Sequence, residues 1–271
     1  MTDLADREWR LVREERNPGP MQMALDEVAA ETAAAGGPRT LRIYRWEPST
    51  LSAGYRQSPD SIDWAYCDRE GITVTRRQTG GGGIYHDVDA DISYSIIAPA
   101  EELPGDLMES YELLCDPILD AFERMGVDAA FAEEEQEAIY QPACYLRAIH
   151  PAHDILVDGR KISGNAQYRQ RDAVIQHGSL SYDRATERHL GVFATEEITT
   201  DQFEQRVTSI REQSGIEREA AVTRLEAALQ EWADATEGTW TDEELDRARE
   251  IADEKYGSEA WNRERTDPLA E

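Results

Sequence analysis

Apolar positions along this chain recur with two periods, one helical and one of two residues. Trp9–Val12 predicts a short first strand, and Pro20-Met21 opens a helix to about Ala35 with Met21, Leu25, Val28 and Ala29 on one side. Gly36-Gly37-Pro38 ends it. Leu41–Trp46 alternates as a half-buried strand, Pro48 breaks it, and Leu51–Tyr55 resumes. Asp60–Glu70 predicts a short helix, and the β-branched run Ile72-Thr73-Val74-Thr75 a buried strand. Asp91–Ile97 is a further strand. Met108–Met125 is helical, with Leu114, Ile118, Phe122 and Met125 in register; Pro117 is expected to kink it or to mark a second start. Ala132–Glu137 is acidic and predicts a solvated loop. Asp158-Gly159 signals a hairpin between two short strands, and Ala173–Leu180 forms another strand. Phe203–Arg211, Glu217–Ala233 and Thr241–Tyr256 predict helices, the last opening on a capping box and stopping at Gly257. Strands fill the middle and helices lie at the start, centre and end. That order predicts an α+β fold, a mainly antiparallel sheet packed with helices. No internal repeat and no compositional break marks a linker, so a single domain is expected over 1–262, with a loose acidic tail over 263–271.

Charge changes this picture at the surface. The 271 residues carry 56 acidic and 28 basic side chains, a formal net charge of −28. Such a chain repels nucleic acid and anionic membranes as a whole. With 40% of residues hydrophobic and periodically placed, the acidity belongs to the surface of a folded domain. Only Lys161 and Lys255 are lysines; every other basic residue is arginine. Dense carboxylates with few lysines suit a high-salt cytoplasm, where screening makes an anionic surface tolerable. Where lysine is this scarce, one inside a glycine-rich motif is not surface decoration. Three scattered cysteines, Cys67, Cys115 and Cys144, supply neither a disulfide framework nor a zinc site. No apolar leader or membrane-length apolar run is seen, so a soluble cytoplasmic protein is expected.

Two segments carry the candidate chemistry. In the first, Arg76 and Arg77 precede Gly80-Gly81-Gly82-Gly83, and Ile84-Tyr85-His86-Asp87 follows. Alone, a glycine run between strands is a flexible tip. Flanked by two guanidiniums it suits an anionic ligand held by backbone N–H groups and arginine. It is neither a Walker loop, lacking Gly-Lys-Ser/Thr, nor a dinucleotide fingerprint, since a strand follows it. In the second segment, the hairpin places Lys161 just before Gly164-Asn165-Ala166, where an ammonium can pair with an anion or polarise a carbonyl. Cys144 lies in a loop on the approach to that hairpin. It is either a buried apolar cysteine or, beside a cation, a nucleophilic thiolate. Cys67 and Cys115 lie in helical patterns and are expected to be structural. His177, before Gly178-Ser179, is either structural or part of the site; His150 and His153 are loop residues, and His189 is expected at the surface.

Together these segments resemble the lipoate-protein ligase A and octanoyltransferase superfamily. The family pattern is Arg-Arg-x-Ser/Thr-Gly-Gly-Gly/Arg, a β-branched residue and His-Asp, then an Arg/Lys-Lys-Ile/Val-x-Gly-Ser/Asn-Ala segment, then His-Gly-Ser/Thr. Arg76–Asp87, Arg160–Ala166 and His177–Ser179 match it in order and spacing, and the likeness extends to Met21–Glu27, Lys255-Tyr256 and Trp261-Asn262. The resemblance implies the biotin/lipoate ligase fold. It implies that Arg77 with Gly82, Gly83, Ile84 and Tyr85 holds an acyl-adenylate and that Lys161 contacts the acyl carbonyl. It also places Arg76, Gly80, Gly81, His86, Gly164, Asn165, Ala166 and His177 in the substrate site. The implied acceptors are lipoyl domains of 2-oxoacid dehydrogenases and the glycine-cleavage H protein.

Attaching an acyl group to a lysine requires an activated acyl group. A thioester donor can pass through a nucleophilic cysteine, with no obligatory cofactor; a free acid needs ATP and Mg²⁺ to form an adenylate. Ala143-Cys144-Tyr145 before the lysine hairpin resembles the cysteine-dependent octanoyltransferase branch, which is favoured. The run of four glycines and a slightly longer loop between Cys144 and Lys161 resemble the ATP-dependent ligases, the alternative. Biotin-protein ligase, which shares the fold, lacks support because its Gly-Arg-Gly-Arg type of loop is absent. A non-catalytic acyl-binding scaffold remains the reading from another class.

Overall fold

The computed structural model describes residues 7–169, 172–195 and 197–270. Met1–Asp6 and Glu271, at the two ends of the expected domain and tail, lie outside the described residues. The chain begins with a crossover: β1 (Trp9–Asn17) and β2 (Arg39–Trp46) pair in parallel, joined by α1 (Gly19–Ala34). The next three strands are short and form a separate three-stranded sheet described with the site. The main sheet continues through β6 (Asp91–Pro99), β8 (Asp154–Val157), β9 (Arg160–Arg169) and β10 (Ala173–Ser181). Its eight strands run in the order β11-β1-β2-β6-β10-β9-β8-β7, where β7 is Ala130–Phe131 and β11 is Thr236–Glu237. Every pairing from β2 to β7 is antiparallel; those of β1 with β2 and β11 are parallel. This is the α+β, mainly antiparallel architecture that the pattern predicts.

β6 is buried at all nine positions, because helices cover both faces of the sheet. On one face α3 (Leu107–Arg124) and α7 (Arg218–Ala233) pack together, with Leu114, Ile118, Phe122, Leu225 and Leu229 fully buried. On the other, α1 meets α8 (Asp242–Ile251) through Met23, Leu25, Val28, Ala248 and Ile251. Pro117 does not start a second helix; α3 is a single helix whose Leu114–Phe122 stretch is held by the core on either side of the proline. The expected helix Phe203–Arg211 is interrupted. α5 (Thr200–Arg206) stops where Val207 turns extended and bridges Lys161, with Thr208 N donating to Lys161 O at 3.0 Å, and α6 (Ile210–Ser214) starts anew. The capping box of Thr241 and Glu244 is formed, and Glu244 also binds Arg10 at 2.6 Å.

Beyond α8 the chain makes two π-helical turns, Ala252–Tyr256 and Ala260–Glu264. Arg263 stacks on Trp64 at 3.8 Å and Asp267 pairs with Lys255 at 2.8 Å, so positions expected in a loose tail are tied to the body by a cation–π contact and a buried charge. Lys255, 4% exposed, also meets Glu27 of α1 at 3.1 Å and lies over the Trp261 ring. Lys255→Met leaves Glu27 and Asp267 without their cation in a largely dry setting. It is expected to cost about 1–3 kcal/mol of stability, measured by denaturant unfolding; an unchanged midpoint would show that the brace contributes nothing.

Candidate active site

β4 (Thr73–Arg76) enters the glycine run and β5 (Ile84–His86) leaves it, but they do not pair with each other. Both pair with β3 (Thr50–Ala53), β4 in parallel and β5 antiparallel. The run is therefore wedged between neighbouring backbones and is not a hairpin tip. A Cβ on Gly54 would overlap the Gly81 carbonyl, and one on Gly82 would lie 2.8 Å from both Pro142 O and Cys144 N. Gly81, at φ 98°, takes a conformation costly for any other residue. Gly83 N donates to Pro142 O at 2.7 Å, and Cys144 N donates to Gly83 O at 2.9 Å. The two candidate segments are thus joined by a two-bond bridge.

The two arginines divide their work. Arg76, wholly buried, gives its donors to the carbonyls of Gly54, Tyr55, Gln57, Trp261 and Asn262. It does not line the cavity and frames the loop instead, which corrects its expected place in the substrate site. Arg77 does line the cavity. Its Nε donates to Thr79 Oγ1, Nη1 to Ser52 O and Oγ, and Nη2 to Gly80 O and Gly82 O. None of these acceptors is a carboxylate. Burial brings its pKa down to about 10, and Cys144 opposes the shift.

Two histidines hold those acceptors. His86 Nε2 lies 2.8 Å from Ser52 Oγ and its Nδ1 3.2 Å from Asp91; the ring stacks on Trp46 at 4.1 Å. Burial keeps His86 below the usual imidazole range, hence neutral. His177 Nε2 lies 2.8 Å from Thr79 Oγ1 and its Nδ1 3.4 Å from Asp26. Two chains of carboxylate, imidazole and hydroxyl therefore converge on Arg77.

Opposite, the Asp158-Gly159 turn has φ 48° and 76°, the two positive values of a type I′ hairpin. It returns the chain so that Lys161 Nζ sits 2.6 Å from Asp154 Oδ1, 3.2 Å from Cys144 O and 3.9 Å from Cys144 Sγ. Burial works to lower the Lys161 pKa, but Cys144 and Asp154 outweigh it and the ammonium is held above its ordinary range. Burial likewise works to raise Asp154, and Lys161 overrides it, leaving the carboxylate well below its ordinary range. Gly164 lies directly beneath: a Cβ there would sit 3.3 Å from Cys144 Sγ and 3.4 Å from Lys161 Nζ.

A cavity of about 340 Å³ joins the two halves. Among the expected site residues, Arg77, Gly80, Gly81, Ile84, His86, Cys144, Lys161, Gly164, Asn165, Ala166 and His177 line it. Gly82 and Gly83 do not line it; Gly83 is hydrogen-bonded to the cysteine loop, and Gly82 packs closely against it. Tyr85 also lies outside it, donating to Asp87. Met23, Tyr44 and Trp46 add an apolar wall that the periodicity gave no reason to single out, since core and cavity walls share one pattern. Asp154, Arg147, His150 and His153 line it as well, although the sequence does not mark them as site residues. For Asp154 a signal existed: a two-residue hairpin turn puts it on the same strand face as Lys161. His189 is buried among Tyr85, Tyr145 and Phe203 and not at the surface; burial drives its pKa to about 3. Cys67 and Cys115 are buried thiols pushed up to about 12, as structural cysteines are.

The cavity thus brings a thiol, two guanidiniums and an ammonium together beside an apolar wall. Residues 18–232 match the family described as the Lipoyl protein ligase A/B catalytic domain, and the chain belongs to it. It is 31% identical to the octanoyltransferase LipM of Geobacillus kaustophilus, over 96% of this chain and 99% of that protein. It is 30% identical to octanoyltransferase LipM of Bacillus subtilis, over 95% and 98%. A crystal structure of lipoate-protein ligase A bound with ATP superimposes with a TM-score of 0.79 at 25% identity, over 94% of this chain and 98% of that one.

The geometry fixes two outcomes. Gly164→Ala sets a methyl 3.3–3.4 Å from Cys144 Sγ and from Cε and Nζ of Lys161, displacing both by tenths of an ångström, and should lower kcat by about tenfold or more with little change in melting temperature. Wild-type turnover would place the reacting atoms elsewhere. Asp154→Asn removes one of the two groups, with Cys144, that hold the Lys161 pKa up, while burial remains. The Lys161 pKa then falls, and the alkaline limb of the pH–rate profile should move to lower pH. In the wild type the pair's stability is lost only as pH falls through the depressed Asp154 pKa or rises through the raised Lys161 pKa. A neutral-range stability scan should therefore be flat for this pair.

Proposed function

We propose that this chain is an octanoyltransferase of protein lipoylation, moving an octanoyl group from a thioester donor through Cys144 to a lysine of an acceptor lipoyl domain. The observation that carries this is the Cys144 sulfur, 3.9 Å from the Lys161 ammonium on the wall of a partly apolar cavity. Relatives named octanoyltransferase over almost the whole chain support it. Lys161 acts as a fixed charge: paired to Asp154, it stabilises the thiolate and does not serve as a base. The thiolate attacks the thioester carbonyl; the carbon–sulfur bond to the carrier breaks, and the carrier thiolate leaves and takes up a proton. The acceptor amine then attacks the Cys144 acyl thioester, forming the amide, losing a proton to solvent and releasing the Cys144 thiolate. Arg77 adds positive charge to the same cavity. Gly80 and Gly81 form the floor beside it, and Met23, Tyr44 and Trp46 receive the acyl tail.

Acceptors of this kind are lipoyl domains of 2-oxoacid dehydrogenases and the glycine-cleavage H protein, in the cytoplasm. The second reading, an ATP-dependent ligase making an acyl-adenylate, is favoured by the likeness to the ATP-bound lipoate-protein ligase A and by the cationic cavity wall. The two differ in donor. Incubation of enzyme and lipoyl domain with octanoyl thioester, without ATP, should give an octanoylated domain and an octanoyl adduct on the enzyme by intact mass. Cys144→Ala should reduce this transfer by at least about 10³-fold with its fold intact. Modification by that variant with free acid, ATP and Mg²⁺ would instead establish the ligase.

A further inference from the structure

The cavity wall carries three cations, Arg77, Arg147 and Lys161, against the single carboxylate of Asp154. That carboxylate is committed to Lys161 at 2.6 Å. Inside a chain of net charge −28 this is a local inversion of sign. Arg77 has spent all its N–H donors on hydroxyls and carbonyls. Arg147 differs. It is half-buried, three residues past Cys144, and among the described residues its guanidinium makes no hydrogen bond, ion pair or ring contact. The two arginines repel each other, since Arg147 contributes to the lowering of Arg77. Most arginines elsewhere on this acidic protein have found carboxylates. One left unpaired beside a second uncompensated cation, on a cavity wall, costs folding energy that a bound anion would return.

We propose that Arg147 is the specificity residue for a phosphate group of the acyl donor, docking it with its free fork of donors while Arg77 supplies charge alone. The proposal rests on the acyl-transfer reading of this cavity. A phosphate reaches such a site from two sources: the pantetheine-phosphate arm that carries a thioester, or the phosphate of an acyl-adenylate.

Binding separates these sources and does not require turnover. Cys144→Ala protein is titrated with octanoyl-4′-phosphopantetheine, octanoyl-pantetheine, octanoyl-adenylate and octanoyl-adenosine at one fixed ionic strength. The expected result is at least about tenfold tighter binding of one phosphate-bearing ligand than of its phosphate-free partner. Arg147→Gln should erase that preference, and Arg147→Lys should restore part of it. The pair that shows the preference names the source. A preference that survives Arg147→Gln, or none in either pair, overturns the assignment. A phosphate preference in a protein that transfers nothing from a thioester would retain Arg147's role and remove the transferase reading. If Arg147→Gln instead raises only the KM for the acceptor domain in the active enzyme, Arg147 reads an acceptor carboxylate and the proposal is wrong.

Discussion

A buried guanidinium without an adjacent carboxylate is the constraint on which this site depends. Neither Asp26 nor Asp91 accepts a hydrogen bond from Arg77. Instead an imidazole and a hydroxyl separate each carboxylate from it, through His177 and Thr79 on one side and His86 and Ser52 on the other. The carboxylates orient the rings and the rings orient the hydroxyls. The guanidinium is fixed in place, yet its charge stays uncancelled by contact. Burial then penalises that charge, and the nearby sulfur of Cys144 relieves the penalty. A site built this way is stable when something anionic, thiolate or ligand, stands in front of it.

Lys161 uses the opposite device. Its carboxylate is in direct contact, so its charge is secured against burial at the expense of its capacity to exchange a proton. The hairpin explains the precision. A tight type I′ turn with one register shift between Ile155 and Leu156 leaves little freedom in where Asp154 meets Lys161. Val207 then pins the backbone of the lysine from the far side, which is why the helical pattern around it is cut in two.

Much of this was legible in the sequence because glycine, arginine and lysine are informative where they are rare or clustered. Gly80, Gly81, Arg77 and Lys161 stand out on those grounds, Cys144 by its place before the lysine hairpin, and these five line one cavity, whereas Gly82 and Gly83 do not. Arg76 stood out for the same reason and serves a different end. Composition cannot tell a guanidinium that binds ligand from one that binds five carbonyls. His189 looked peripheral because one polar residue in a short helix carries no periodic signal; the aromatic rings that bury it come from distant parts of the chain. The helix break at Val207 was hidden because the competing partner, β9, is not local. Met23, Tyr44 and Trp46 were legible as apolar residues but not as a wall, since lining a slot and filling a core ask the same of a side chain.

The frame around β4 has a consequence for how the molecule comes into being. Arg76 completes its coordination with carbonyls 185 and 186 positions downstream, and Trp261 returns a bond from its indole. During synthesis the glycine cradle therefore emerges from the ribosome long before the residues that hold its entrance strand. The strand that leads into the glycine cradle is thus framed only once the far end of the chain has been made.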